Sequence, residues 1–230
     1  MRFTLDDPPF AGRSGQGVIV AVLDSGVHAD HPHVGRIIGG VSFAGDADDF
    51  VDRIGHGTAV TAAIHEKAPG AEVLAVKIFE RHLATNADVL SRAIEWAADH
   101  GAHLINLSLG TANAAHAERL ATAVDSAATR GALVVSALET NGTPLFPGSL
   151  AAVAGVVADW SCDRDSLDVT ARAEGEPRFT ASAYPRPIPG VPKERNLAGV
   201  SFAVANVTGF LARAIESGAL PETLRGRPRR

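Results

Sequence analysis

With a single cysteine among 230 residues, the chain can form no internal disulfide. That suits a reducing compartment, and the cytoplasm is the expected location. Cys162 has no base placed for it in the sequence and reads as a small, partly buried side chain. Nowhere do 18 consecutive apolar residues occur, so no membrane-spanning helix is expected. The opening Met1-Arg2-Phe3-Thr4-Leu5-Asp6-Asp7-Pro8-Pro9 lacks the apolar core of an export signal. An excess of one charge is missing too. With 21 basic and 26 acidic residues, the formal charge of −5 argues against a chain built to hold nucleic acid. No internal repeat is present.

What the chain does have is length and period. A chain of this size buries roughly 70–75% of its unfolded surface in one α/β domain. A single domain over 1–230 is expected, with an N-terminal arm over 1–15 and a disordered basic tail over 221–230. Continuous apolar runs of strand length lie at Val18–Leu23, Val73–Phe79, Ala102–Leu109, Ala132–Ala137 and Ala152–Ala158, with a further strand at Arg36–Ala44. Helical spacing follows Thr58 as far as Ala68-Pro69-Gly70, runs from Asn86 to His100, and recurs from Ala117 to Ala127. Strands alternating with helices predict a three-layer, doubly wound, mostly parallel sheet with helices on both faces. The stretch Asp168–Leu197, rich in proline and charge, reads as a surface wrap.

Gly199 to Gly209 carries a serine, Ser201, at the head of an apolar helix. Ala203, Val207, Phe210, Leu211, Ala214 and Ile215 form its inner stripe, and Gly218 is placed to end it. Serine there is either an N-cap or a nucleophile with the helix dipole beneath it. Two other stretches favour the nucleophile. Gly17–Val27 is an apolar strand ending in Asp24-Ser25-Gly26, and Gly55-His56-Gly57-Thr58 sets a histidine at a helix start.

Acid, histidine and serine in that chain order, each within its local motif, resemble the subtilisin-like serine proteases. The resemblance implies a triad of Asp24, His56 and Ser201. Ser108-Leu109-Gly110 matches the family segment that receives an extended peptide by strand addition, and Gly110 would leave room for the substrate backbone. The family's oxyanion asparagine aligns without a gap on Thr140, with Glu139 on the preceding glycine. A loop shift of one residue, eased by Gly142, brings Asn141 there instead. Val200, Ala205 and Ala59 depart from the family's usual threonine, proline and histidine, which points to a divergent branch.

Two stretches invite a metal reading. His28-Ala29-Asp30-His31-Pro32-His33 lacks a paired histidine–carboxylate pattern, and its His31-Pro32 matches a structural pair of the family. Asp46, Asp48, Asp49 and Asp52 lack EF-hand spacing and read as a solvated loop bordering the cleft. Many family members insert a calcium loop after the histidine helix, but the short run from His56 to Pro69 leaves no room for it. No cofactor and no metal are therefore expected. The expected partner is a peptide or protein substrate, with no nucleic acid and no membrane. The expected activity is that of a serine endopeptidase. Its alternatives are a peptide-binding pseudoenzyme or an acyl-transferring, ligating enzyme.

Overall fold

The structure is a computed structural model that describes residues 1–172, 176–216 and 218. In chain order its elements are β1 (Arg2–Thr4), β2 (Ile19–Asp24), β3 (Ile37–Ser42), α1 (His56–Lys67), β4 (Glu72–Lys77), α2 (Ala87–Asp99) and β5 (Leu104–Leu107). There follow α3 (Ala117–Thr129), β6 (Leu133–Ala137), β7 (Glu139–Thr140), β8 (Thr143–Pro144), β9 (Ala154–Asp159), β10 (Ser166–Ala171), β11 (Pro177–Ser182) and α4 (Val200–Ile215).

Nine strands form one sheet in the order β1-β10-β11-β9-β6-β5-β2-β4-β3. The neighbours from β11 to β3 are parallel, whereas β1, β10 and β11 pair antiparallel. The apolar runs are continuous because both faces are covered. On β2, Val20 and Val22 join the layer of α1 and α4, while Ala21 and Leu23 face that of α2 and α3. The architecture is the expected three-layer one.

Three local expectations change. Part of the supposed surface wrap enters the sheet as β10 and β11, with Leu167, Val169, Phe179 and Ala181 buried in alternation with more exposed polar residues. The charges that suggest a loop occupy the open face of those strands. The N-terminal arm is likewise built in. β1 closes the sheet edge, and Phe10 packs edge-on against both Phe3 and Phe210, with ring centroids 5.8 and 5.1 Å apart. Third, α4 buries every residue from Phe202 to Ala212, so it is enclosed on all sides instead of along one stripe. Gly218, at φ 101, closes this helix as expected by donating its N–H to the Ile215 carbonyl at 2.8 Å. The basic tail over 221–230 lies outside the described residues.

Chain order reverses direction between β2 and β5. β3 and β4 lie to one side of β2, and β5, β6 and β9 to the other. Crevices of doubly wound sheets open at the carboxyl ends of strands flanking such a switch point. Asp24 ends β2 and Ser108 directly follows β5.

Candidate active site

Asp24 is the last residue of β2 and is buried. His56 begins α1, 32 residues later in the chain, and the fold brings its Nδ1 to 2.7 Å from Asp24 Oδ1. That acceptor identifies Nδ1 as the protonated nitrogen and leaves Nε2 as the free base. The same carboxylate oxygen accepts the Ser25 N–H at 2.7 Å, which fixes its orientation. Gly57 makes the approach possible. A Cβ there would lie 2.1 Å from the Gly26 carbonyl oxygen and 3.1 Å from the Asp24 Cβ.

Burial opposes a charge on His56, but the hydrogen bond and charge of Asp24, with a smaller contribution from Asp52, outweigh it and raise its pKa. Among the described residues no lysine or arginine pairs with Asp24. Its charge is thus free to stabilise an imidazolium on His56.

Asp52 plays a part that the sequence hid. Instead of joining the solvated loop it is only 9% exposed. Its Oδ1 accepts from Ser25 Oγ, Ile54 N and Gly55 N at 2.9, 2.9 and 2.8 Å, and its Oδ2 from Thr58 N and Oγ at 2.8 and 2.6 Å. Ser25 Oγ in turn accepts the Gly57 N–H at 2.9 Å. One carboxylate therefore pins the first turn of α1 to the end of β2 and aims His56. Burial raises the pKa of Asp52, yet these hydrogen bonds prevail and hold it below the usual value. The spacing Asp52-x-x-x-x-x-Thr58, an acid just before a helix start, was the available signal.

Ser201 is the second residue of α4, whose N-cap, Gly199, supplies no side-chain bond. The helix start is therefore bare, with the backbone N–H groups of its first turn unmatched by a cap. Phe202, next to the serine, packs against the His56 ring at 5.7 Å between centroids. Ser201 Oγ donates to the Ser108 carbonyl at 3.1 Å, and no hydrogen bond joins it to His56 among the described residues. Buried polar groups hold Ser108 in turn. Thr208 Oγ1 donates to Asn106 Oδ1 at 2.9 Å, and Asn106 Nδ2 to Ser108 Oγ at 3.0 Å.

Among the remaining expected residues, Leu109 is half-buried and its carbonyl accepts from Ser136 Oγ at 3.0 Å. At Gly110 the space a side chain would take is held by Leu145. A Cβ on Gly110 would stand 2.8 Å from that of Leu145. Thr140 and Asn141 are exposed on the β7–β8 hairpin, where Thr140 pairs with Thr143. Asn141 and Gly142, at φ 49 and 76, are its two turn residues. Asn-Gly is the sequence such a left-handed two-residue turn favours. Among the described residues neither Thr140 nor Asn141 hydrogen-bonds to Asp24, His56 or Ser201.

The metal readings have equally concrete fates. α1 passes straight through Ala68–Ala71 into β4, so no inserted loop exists there to carry calcium ligands. In the acidic loop, Asp49 pairs with Arg53 at 2.7 Å, and Asp52 is fully occupied as above. No group of three or more potential ligands is assembled among the described residues. No helix among them is long and apolar enough to cross a membrane.

Known proteins match this arrangement. The subtilase family matches residues 15–226. Subtilisin Savinase of Lederbergia lenta is 32% identical over 212 residues, 86% of this chain and 73% of that protein. A thermostable alkaline protease of Halalkalibacterium halodurans is 33% identical over 220 residues, 87% of this chain but 57% of that protein. The crystal structure of a cold adapted subtilisin-like serine proteinase superposes with a TM-score of 0.74 at 21% identity, covering 95% of this chain and 82% of that one. The chain thus spans from about half to three quarters of the length of such curated relatives. Its fold, its motifs and these matches coincide, and the chain belongs to the subtilase family of serine endopeptidases.

Proposed function

We propose that this chain cleaves an extended peptide or a precursor protein through an acyl-enzyme on Ser201, with Asp24, His56 and Ser201 as its triad. The observation that carries the reading is the 2.7 Å Asp24–His56 bond, made beside a serine at an uncapped helix N-terminus. In this reading Ser201 Oγ turns from the Ser108 carbonyl towards His56 Nε2 and gives up its proton as it attacks the substrate carbonyl. Asp24 holds the tautomer and stabilises the imidazolium. The oxyanion meets the Ser201 N–H and the positive end of α4, with Asn141, or in its place Thr140, as the second donor. His56 then protonates the departing amine, and water enters by the same route to release the acid.

The peptide lies extended along Ser108-Leu109-Gly110, held by backbone hydrogen bonds. A reducing cytoplasm is the compartment we propose, on the strength of the single, buried Cys162. The experiment is labelling with a fluorophosphonate, followed by mass spectrometry of products from a diverse peptide library. Labelling confined to Ser201, lost in His56→Ala and accompanied by internal cleavage, supports the reading. One observation favours a second reading, a peptide-binding pseudoenzyme. The Ser201 hydroxyl rests on Ser108, and Glu139, paired with Arg178 at 3.2 Å, stands where the family has glycine. Peptide binding without labelling or cleavage would decide for it.

A further inference from the structure

Arg172 directly follows β10, half-buried, and its guanidinium faces a set of backbone carbonyls. Nη1 donates to the carbonyls of Ser149 and Leu150 at 3.2 and 3.4 Å, and Nη2 to those of Gly148 and Val153 at 3.4 and 3.1 Å. All of these acceptors belong to one turn between β8 and β9. Gly155 on β9 makes room for the group, since a Cβ there would stand 2.3 Å from Nη2. Carbonyl dipoles whose negative ends converge repel one another, and burying them without donors is costly. The turn therefore closes around a positive charge, and in this chain that charge is a side chain. A planar fork of N–H donors can serve several carbonyls at once, which a point charge does less well.

The proposed peptide strand and the proposed oxyanion hairpin both rest on this turn. Gly148 sits directly on the end of β6, where a Cβ would lie 1.8 Å from the Ala137 carbonyl oxygen. Leu145 N donates to the Leu138 carbonyl at 2.9 Å and so closes the base of the β7–β8 hairpin, which presents Thr140 and Asn141. Phe146 and Thr111 exchange backbone hydrogen bonds of 2.8 and 2.9 Å, which fixes the segment continuing from Ser108-Leu109-Gly110. The carbonyl-bearing residues are tied to that stretch in turn. Ser149 N donates to the Leu145 carbonyl at 2.8 Å, and Leu150 N to that of Pro147 at 2.9 Å.

We propose that Arg172 is a positioning residue for the reaction. Its guanidinium serves as a built-in cation that gathers the 145–153 turn and, through it, sets the Ser108-Leu109-Gly110 segment and the β7–β8 hairpin against Ser201. The proposal rests on the endopeptidase reading and adds to it a residue outside the triad. Arg172 acts through Leu145, Phe146 and Gly148 and not on the substrate. A displacement of about 1 Å at reacting groups costs on the order of 100-fold in rate, so a turn that relaxes without its charge is felt in catalysis.

The test compares the native chain with Arg172→Ala and Arg172→Lys, well below the melting temperature of each. In Arg172→Ala, kcat for an internally cleaved peptide should fall about 10- to 100-fold. Added to Ser201→Ala, the same substitution should weaken peptide Kd, read by fluorescence anisotropy, about 5- to 10-fold, the worth of one backbone hydrogen bond. A role confined to stability would leave both quantities unchanged at that temperature. Arg172 lines a surface cavity together with Ser149 and Leu150, through which a small solute reaches the vacated space. Millimolar guanidinium should therefore restore kcat and Kd, whereas urea, planar but uncharged, should not. Arg172→Lys keeps the charge without the fork and should lose about 3- to 10-fold in kcat, so it carries the test if Arg172→Ala does not fold. A native chain that neither hydrolyses peptide nor takes a fluorophosphonate sinks the endopeptidase reading, and the Kd values then judge Arg172 alone. Native kcat and Kd in every variant that folds, or a loss that guanidinium restores no better than urea, would overturn the proposal.

Discussion

Ser201 Oγ and the carbonyl oxygen of Ser108 are joined by a 3.1 Å hydrogen bond, although the two residues lie 93 positions apart in the chain. The proposed nucleophile thus rests on the strand end proposed to receive the peptide backbone. A substrate N–H that takes the Ser108 carbonyl releases the hydroxyl towards His56. Ser201→Ala removes the occupant of that carbonyl along with the proposed nucleophile. Turnover should fall on the order of 10⁶-fold, because triad members act as a unit, while peptide affinity stays the same or tightens slightly. Rapid-quench kinetics and anisotropy titration check the two halves, and a variant that still hydrolyses peptide at the native rate excludes Ser201.

The pH profile should report His56. Its pKa is raised by Asp24, so the rising limb of kcat/KM is expected with a midpoint above the ordinary 6.5. Because folding raises that pKa, protonated His56 stabilises the fold below the ordinary value. The contribution is lost as pH rises through the raised one. Asp24→Asn should move the limb towards lower pH and reduce kcat by roughly 10⁴-fold. A limb that stays in place would detach Asp24 from the titration.

Asp52 is expected to act by positioning. Asp52→Ala strands several buried donors at the start of α1 and should cost about 3 kcal/mol in denaturant unfolding. Its folded pKa is depressed, so its contribution is present above the ordinary 3.8 and disappears as pH falls through the lower folded value. In Asp52→Asn, kcat should fall more than KM changes, with the His56 limb displaced downward through loss of a nearby negative charge. A variant of native stability and native pH profile would remove Asp52 from the site.

The oxyanion donor is open to direct comparison. Asn141→Ala is expected to lower kcat by roughly 10²–10³-fold with little change in KM, whereas Thr140→Val should be mild. The reverse ranking transfers the role to Thr140. Full activity in both would leave the oxyanion to the Ser201 N–H and the α4 terminus.

Calcium chelation should leave the melting temperature nearly unchanged, since α1 enters β4 without an inserted loop. A fall of many degrees with EGTA, restored by calcium, would contradict this.

The layers, the parallel core strands and the three triad motifs were legible in the sequence because each is written locally. Two-sided burial makes β2 and β5 continuous apolar runs, and Asp24, His56 and Ser201 each sit inside a short recognisable pattern. What could not be read depends on partners distant in the chain. β10 and β11 look like loop because only one residue in two is buried, and only the neighbouring β9 and β1 make them strands. Asp52 sits among acidic loop residues, and only the packing of α1 against the end of β2 turns it from a solvated charge into a buried anchor. Leu145, brought against Gly110 by the chain after β8, is likewise a neighbour that no local pattern announces. The sequence by itself determined the family and the motifs the chain carries, since residue types and their local patterns are one-dimensional. Only the tertiary structure decided where the Ser201 hydroxyl rests and which carboxylate pins the His56 end of α1. Those are distances between segments, set by packing.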